Sequence, residues 1–233
     1  ILQCDPEVSL VGARVNLFPR KAIRNGYKEY ERWQNSLLSH SEMVAQRFVE
    51  SPLAHPSVMF RREAIVELGG YRQGDFPEDY ELWLRAIDHG ITLTKDSSIL
   101  IDWRESHGRL SRTHPAYHRQ AFDQLRASFL ATLPALRLRP VAFWGAGRKT
   151  RQRANHLIDL GINPWVWIDI DPKKIGNQIN GVPVRAPDYL NQLVGGSKPF
   201  VLIYVTNHGA RELIDAELTG MGHRINKDFL AVG

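Results

Sequence analysis

Cysteine is almost absent: the 233 residues contain one, Cys4, so no disulfide can close within the chain. That excludes a disulfide-stapled scaffold and fits a reducing compartment. Cys4 lies in no activating pattern and reads as a minor apolar residue. Long hydrophobic runs are missing too. None approaches the roughly 20 residues a membrane-spanning helix needs, and the densest, Val201 to Val205, is strand-sized. No secretory leader is recognisable, and the chain opens on Ile1 rather than Met. A cytoplasmic protein is expected, with membrane association limited to the periphery. Blocks of Lys and Arg interleaved with aromatics are lacking, so no nucleic acid is expected as partner. Internal repeats and low-complexity tracts are lacking as well. Residues 1–136 have no net charge, with 17 Lys plus Arg against 17 Asp plus Glu; residues 137–233 hold 13 against 8, the whole of the +5 excess. A basic surface favours phosphate-bearing partners.

What is present divides into two patterns. The first runs through apolar, strand-like segments separated by polar and aromatic loops: Val8 to Val15, then Ser57 to Phe60, Ile91 to Thr94 and Ser98 to Trp103. A short helix over Glu63 to Leu68 stops at Gly69-Gly70. Pro77 opens the next helix, Leu82, Leu84, Ala86 and Ile87 supply its apolar face, and His89-Gly90 end it. A further helix follows Pro115. Leu133 to Pro140, with two prolines and no regular apolar period, reads as a linker. Beyond it the order becomes strand, glycine turn, helix, strand, which specifies a parallel sheet covered by helices. The expected organisation is a domain over residues 1–136 and another over 137–233, both α/β.

Glu78 and Asp79 fall just inside a helix N-terminus, where the dipole and free backbone N–H groups favour ionised carboxylates. Such residues stabilise helix starts in any protein; at the lip of a cleft one of them can also act as a general base toward a hydroxyl. The segment Glu78-Asp79-Tyr80-Glu81-Leu82-Trp83-Leu84-Arg85 resembles the Glu-Asp motif of family-2 glycosyltransferases. Ser57-Val58-Met59-Phe60-Arg61-Arg62 followed by Leu68-Gly69-Gly70-Tyr71-Arg72 is similar to the strand, helix and turn preceding that motif. Val8-Ser9-Leu10-Val11-Gly12-Ala13 resembles the strand after the family's donor-binding half. The resemblance covers roughly residues 1–120. It implies part of an A-type glycosyltransferase fold, a nucleotide-sugar donor, a hydroxyl-bearing acceptor such as a glycan or lipid-linked glycan, and a single displacement with inversion. Asp79 would be the catalytic base and Glu78 its support. The family's Asp-x-Asp motif for Mn²⁺ or Mg²⁺ belongs ahead of residue 1. The chain is therefore expected to lack the donor-binding half and to be inactive alone.

Arg104, Arg109 and Arg112 lie in a donor-rich loop after the last strand of the first pattern. Arginine can meet a diphosphate bidentately, and these three are candidate substrate-binding residues, although a solvated basic loop would look the same. His55, entering a strand through Pro56, is a candidate wall of the acceptor cleft, or part of a plain turn. Tyr27, Tyr30 and Trp33 recur at three-residue steps on a helix and suit a core or interface better than a sugar platform. His107, His114 and His118 are close enough in sequence to raise a metal site, but Pro115 spoils the helical pairing, and no metal ligands are assigned.

In the second pattern, Gly145-Ala146-Gly147-Arg148 follows the strand Val141 to Trp144. The first glycine permits a tight turn, and the second lets a pyrophosphate approach a helix N-terminus. Asp169, 24 residues after Gly145, stands where an acid commonly meets a ribose hydroxyl. Gly145, Gly147, Arg148 and Asp169 are the candidate cofactor-binding residues, for a dinucleotide. The stretch from Ile168 to Gly176, followed by Ile179 to Val184, resembles Rossmann-like domains fused to sugar-modifying enzymes. Asn207, His208 and Gly209 are expected at the strand ends. Asp169-Ile170-Asp171 spells Asp-x-Asp but sits in this second pattern and reads as unrelated to donor metal. An NAD(P)-linked oxidoreductase or sensor, or a non-catalytic assembly module, are the competing classes.

Overall fold

The computed structural model describes residues 1–106, 108–192, 194, 196–207 and 209–233. His107 and His208 therefore lie outside the described residues. The chain is mixed α/β and forms two compact units, Ile1–Phe122 and Asp123–Gly233. The division between these units falls within a helix, Arg119–Thr132.

In the first unit the order is β1 (Val8–Phe18), α1 (Asn25–Ser36), α2 (His40–Gln46), β2 (Met59–Phe60), α3 (Arg62–Glu67), α4 (Glu78–Asp88), β3 (Thr92–Arg104) and α5 (Leu110–Thr113). Its sheet runs β2-β1-β3, with β1 and β3 parallel and β2 antiparallel. The two strands expected between Ile91 and Trp103 are one strand. Its register against β1 jumps from Ala13 opposite Asp96 to Arg14 opposite Ile99. The polar Asp96 to Ser98 stretch that read as a break is an irregularity in a continuous ladder. The core joins Leu10, Leu53, Ile65, Leu82, Trp83, Ala86 and Leu93.

Side chains cover the flank of β1 beyond β2. Ser57 Oγ accepts from Ala13 N–H (3.3 Å), Asn35 Oδ1 from Val15 N–H (3.0 Å), and Glu31 Oε1 from Leu17 N–H (2.7 Å). Asn35 Nδ2 also donates to Val15 O at 2.8 Å. Glu31 and Asn35 are four apart on α1, so one helix face meets every second residue of the strand. This satisfies backbone groups that a partner strand would otherwise take.

Helix α4 is buried from Tyr80 through Ala86, a wider burial than its apolar face implied. Two charges make that tolerable. Glu81 and Arg85 form a forked pair, Nε to Oε1 and Nη2 to Oε2, both 2.8 Å. Arg85 also donates to Leu68 O (2.5 Å) and Gly70 O (2.8 Å). It thereby fixes the turn after α3, where Gly69 (φ 86°) and Gly70 (φ 67°) adopt the left-handed conformation.

Helix α6 (Arg119–Thr132) leads into α7 (Pro134–Leu138). The stretch expected as a linker is thus helical, opened by its proline and held by buried Leu136. The second unit continues with β4 (Val141–Trp144), α8 (Arg148–Ile158), β5 (Val166–Ile168), β6 (Gln178–Ile179), β7 (Val182–Arg185), β8 (Phe200–Ile203), α9 (Ala210–Gly220) and β9 (Phe229–Ala231). The sheet order is β6-β7-β5-β4-β8-β9, parallel except for the β6–β7 hairpin. Asn180 (φ 49°) and Gly181 (φ 81°) close that hairpin with the two-residue turn their sequence favours. Strands β4, β5 and β8 are buried throughout, which explains their continuous apolar runs. Strand order reverses between β4 and β8, so the carboxyl ends of β4 and β8 flank the crevice of the sheet.

Candidate active site

Pro77 takes the N-cap position of α4 in extended conformation (ψ 111°), and Glu78, Asp79 and Glu81 occupy the first turn. Asp79 Oδ1 accepts the N–H of Tyr80 at 2.7 Å. Its other oxygen, Oδ2, lies 4.0 Å from Nδ1 of His55, and the Asp79 side chain keeps 18% of its surface exposed. Burial pushes the carboxyl up to about 6; His55 and the Tyr80 N–H pull it down, and Glu78 pushes it further up. A carboxylate in that range is ionised at neutral pH yet more basic than an ordinary aspartate, the property a general base needs.

The surrounding groups come from four other segments. His55 sits in the short turn His55–Ser57 ahead of β2. Its Nε2 is 2.9 Å from the hydroxyl of Tyr71, which follows the Gly69-Gly70 turn. Tyr117 donates its hydroxyl to Glu78 Oε2 at 2.5 Å. Burial, then Glu78 and Asp79, push this phenol well up, so it keeps its proton and donates. Tyr30, on α1, is raised by burial first, then by Glu50 and Asp79, while Arg109 opposes. Tyr30 is thus near enough to feel both the acid and the arginine loop. The expected stripe is real: the Tyr27 and Tyr30 rings are 6.5 Å apart, those of Tyr30 and Trp33 6.0 Å, and Trp33 packs on the core.

Sequence reasoning found Glu78, Asp79 and His55, and the structure brings these three together. It missed Tyr71 and Tyr117, which lie 16 residues from His55 and 39 from Glu78. The aromatic after Gly69-Gly70 was part of the quoted pattern, but nothing in spacing marks its partner.

The arginine loop is organised differently from the expectation of free phosphate ligands. Buried Glu105 accepts from Arg109 Nη1 at 2.8 Å and from Arg112 Nε. Arg109 stacks over Trp103 (4.3 Å) and Arg112 over Tyr27 (4.6 Å). Both guanidinium groups therefore have part of their donor capacity committed. Arg104, the last residue of β3, is exposed. His114 Nδ1 accepts the N–H of Ala116 at 3.3 Å and caps the turn begun by Pro115.

In the second unit, Gly145 has φ 112°, and a Cβ there would come within 3.0 Å of Thr150 and Val205, so only glycine fits. Gly147 caps α8 with open space around it, and Arg148 is exposed. Asp169 is otherwise engaged: Oδ2 accepts from Ala146 N–H (2.8 Å) and Lys174 Nζ (3.1 Å), and Oδ1 from Asp171 N–H (2.9 Å). Burial would raise its pKa, but these bonds win and hold it below the ordinary range. Lys174 also lies 3.4 Å from Asp171, so the Asp-x-Asp pair faces an ammonium. Among the described residues no group of three or more His, Cys, Asp or Glu is placed to hold a metal ion. A cavity of about 400 Å³ lies elsewhere, by Pro140, Val141, Gly161 and Trp165 at the amino end of β4, away from the candidate cofactor residues.

The first unit thus holds a partly exposed carboxylate, Asp79, in the first turn of a helix and beside His55. No family model matches the chain. Over 73 residues it is 34% identical to the UDP-Gal:alpha-D-GlcNAc-diphosphoundecaprenol beta-1,3-galactosyltransferase of Escherichia coli, covering 31% of this chain and 24% of that protein. It is 28% identical over 103 residues to the amylovoran biosynthesis glycosyltransferase AmsE of Erwinia amylovora, 44% of this chain and 36% of that protein. To the O-antigen biosynthesis glycosyltransferase WbnJ of Escherichia coli it is 33% identical over 75 residues, 31% of this chain and 30% of that protein. The matched segments thus span from about a quarter to just over a third of these relatives' lengths. These likenesses support a glycosyltransferase. Among the described residues no helix is long and apolar enough to cross a membrane.

Proposed function

We propose that residues 1–136 supply the acceptor side of an inverting, family-2-like glycosyltransferase, and that Asp79 is its catalytic base. The observation that carries this reading is the Asp79 carboxylate itself: partly exposed at the first turn of α4, faced by His55, and raised to about 6 by burial. In the reaction an acceptor hydroxyl gives its proton to Asp79 Oδ2 as its oxygen bonds to the anomeric carbon of a nucleotide sugar. The anomeric bond to the diphosphate breaks from the opposite face, its electron pair leaves with the nucleoside diphosphate, and configuration inverts. Glu78, tied to Tyr117, positions the acceptor or the base. The named relatives act in amylovoran biosynthesis, in O-antigen biosynthesis or on a GlcNAc-diphosphoundecaprenol, which supports a glycan or lipid-linked glycan as acceptor; a cytoplasmic, membrane-peripheral setting is part of the same reading. A divalent metal belongs to the donor-binding half of such an enzyme in this reading, and these 233 residues alone would not turn over a nucleotide sugar.

Residues 137–233 are in this reading a Rossmann-like accessory domain. The strand order and the open Gly147–Arg148 turn support a phosphate-bearing ligand. The commitment of Asp169 to Ala146 and Lys174 argues against an NAD(P)-linked dehydrogenase. Asp79→Asn in the full-length enzyme, assayed with nucleotide sugars, Mn²⁺ and lipid-linked glycan acceptors, is expected to lower transfer by roughly 10²–10⁴-fold. Near-normal transfer by that variant removes Asp79 as base.

A further inference from the structure

The carboxylate of Asp79 is one end of a chain of three groups. His55 lies between Asp79 and Tyr71, with Nδ1 4.0 Å from Oδ2 and Nε2 2.9 Å from the Tyr71 hydroxyl. Its ring is held against Tyr71 (centroids 5.4 Å) and edge-on to the buried Trp83 (6.0 Å). The turn that presents Tyr71 is in turn fixed by Arg85 through Gly70 O. Three elements therefore converge to orient one imidazole.

Which nitrogen of a neutral histidine carries its proton is set by the partner of the other. The protonated Tyr71 hydroxyl can donate or accept in its contact with Nε2, so the Asp79 side decides the tautomer. A proton on Nδ1 is directed toward Asp79, and the Tyr71 hydroxyl then donates to Nε2. The opposite tautomer would aim a lone pair at a carboxylate.

We propose that His55 is the positioning residue of Asp79, with Tyr71 supporting its Nδ1–H tautomer, so that the pair keeps the carboxylate ionised and oriented toward the acceptor hydroxyl. The proposal rests on the reading of Asp79 as base and adds to it the device that sets the base's charge. The groups that face Asp79 are Glu78 on its own helix, His55, Tyr71 and Tyr117 from three turns, and Tyr30 from α1. Burial and Glu78 disfavour the anion; the N–H of Tyr80 opposes them, as does the charge of His55 when its ring is protonated, while the neutral ring turns its Nδ1–H dipole toward Asp79. The 4.0 Å separation exceeds a hydrogen bond, so the imidazole acts through space and leaves Oδ2 open to a substrate proton.

The test is a ¹³C-carboxyl titration of Asp79 in the 233-residue chain. The midpoint is expected near pH 6 in the wild type. It should rise by roughly one unit in His55→Ala and less in His55→Asn, whose amide can donate from near the Nδ1 position. Tyr71→Phe removes one exposed hydroxyl and should raise the midpoint partway, while ¹⁵N shifts report the weakened Nδ1–H tautomer. An Asp79 midpoint unmoved in both His55→Ala and Tyr71→Phe overturns the proposal, and Tyr71→Phe carries the test if His55→Ala does not fold. In the full-length enzyme the acidic limb of the pH–rate profile should move by the same amounts. Titrations that shift while the full-length protein shows no transferase activity would leave the pairing intact and sink the glycosyltransferase reading. Transfer that needs Asp79 but whose pH profile ignores His55 would do the reverse.

Discussion

Single residues already link this site to stability. The Asp79 carboxyl sits at about 6 in the fold against 3.8 for the ordinary group. Between those values the folded state holds more protons than the unfolded chain, so stability falls as pH rises through that window. Asp79→Asn removes the charge and should be the more stable protein at pH 7, by on the order of 1–3 kcal/mol. Urea denaturation at pH 7 and pH 4 checks this: the advantage should vanish at the lower pH. Lys95 has the opposite slope. It is 4% exposed, donates to Gln34 O and Pro52 O, and is pushed down to about 7 by burial and Arg14. Between 7 and the ordinary 10.5 the unfolded chain binds more protons, so stability rises with pH there. Wild type minus Lys95→Met stability should therefore grow by about 1–3 kcal/mol from pH 7 to pH 9; an equal response of both proteins would show that Lys95 is not the group titrating. Glu78 and Asp79 were legible in the sequence because the first-turn preference for acids is a local rule. Tyr71, Tyr117 and the Glu105 clamp were not, because only the folded chain brings them to their partners.

At the scale of elements, the Glu81–Arg85 pair joins helix α4 to the turn after α3 and so to Tyr71. Arg85→Ala should cost up to about 3–5 kcal/mol by removing the forked partner of buried Glu81, which keeps only Arg72, 3.5 Å from Oε1. Arg85→Lys should not rescue it, since an ammonium cannot serve Glu81, Leu68 O and Gly70 O together. Thermal melts of both variants read this out. For the strand flank, Asn35→Ala leaves Val15 N–H and C=O without partners and should cost about 1–3 kcal/mol, with faster hydrogen exchange at Val15 than at Leu17, which keeps Glu31. The buried parallel strands β4, β5 and β8 were readable as apolar runs, and the Asn180-Gly181 hairpin has its turn residues in plain view. Strand β3 was not read whole: Asp96, Ser97 and Ser98 look like a turn, and pairing with β1 overrides that local preference. Residues 133–140 failed for a similar reason. Their two prolines suggested a break, while burial of Leu136 and a proline at the first helical position favour a short helix.

For the whole molecule, two cores built from separate residue sets, one around Leu10 and Trp83 and the other around Trp144 and Val201, predict unfolding that is not two-state. Calorimetry should give an enthalpy larger than the van't Hoff value; equal values would mean the units melt as one. The α/β class was legible in the change of pattern along the chain. Association between molecules is governed at this scale as well, and the arrangement along β1 bears on it. An unmasked strand edge is a template on which a second chain can add, and many folds avoid this by closing into barrels or by placing charge and proline there. Here Asn35 and Glu31 occupy those backbone groups with amide and carboxylate oxygens, so that side offers no seed for a fibril and would resist strand exchange between copies.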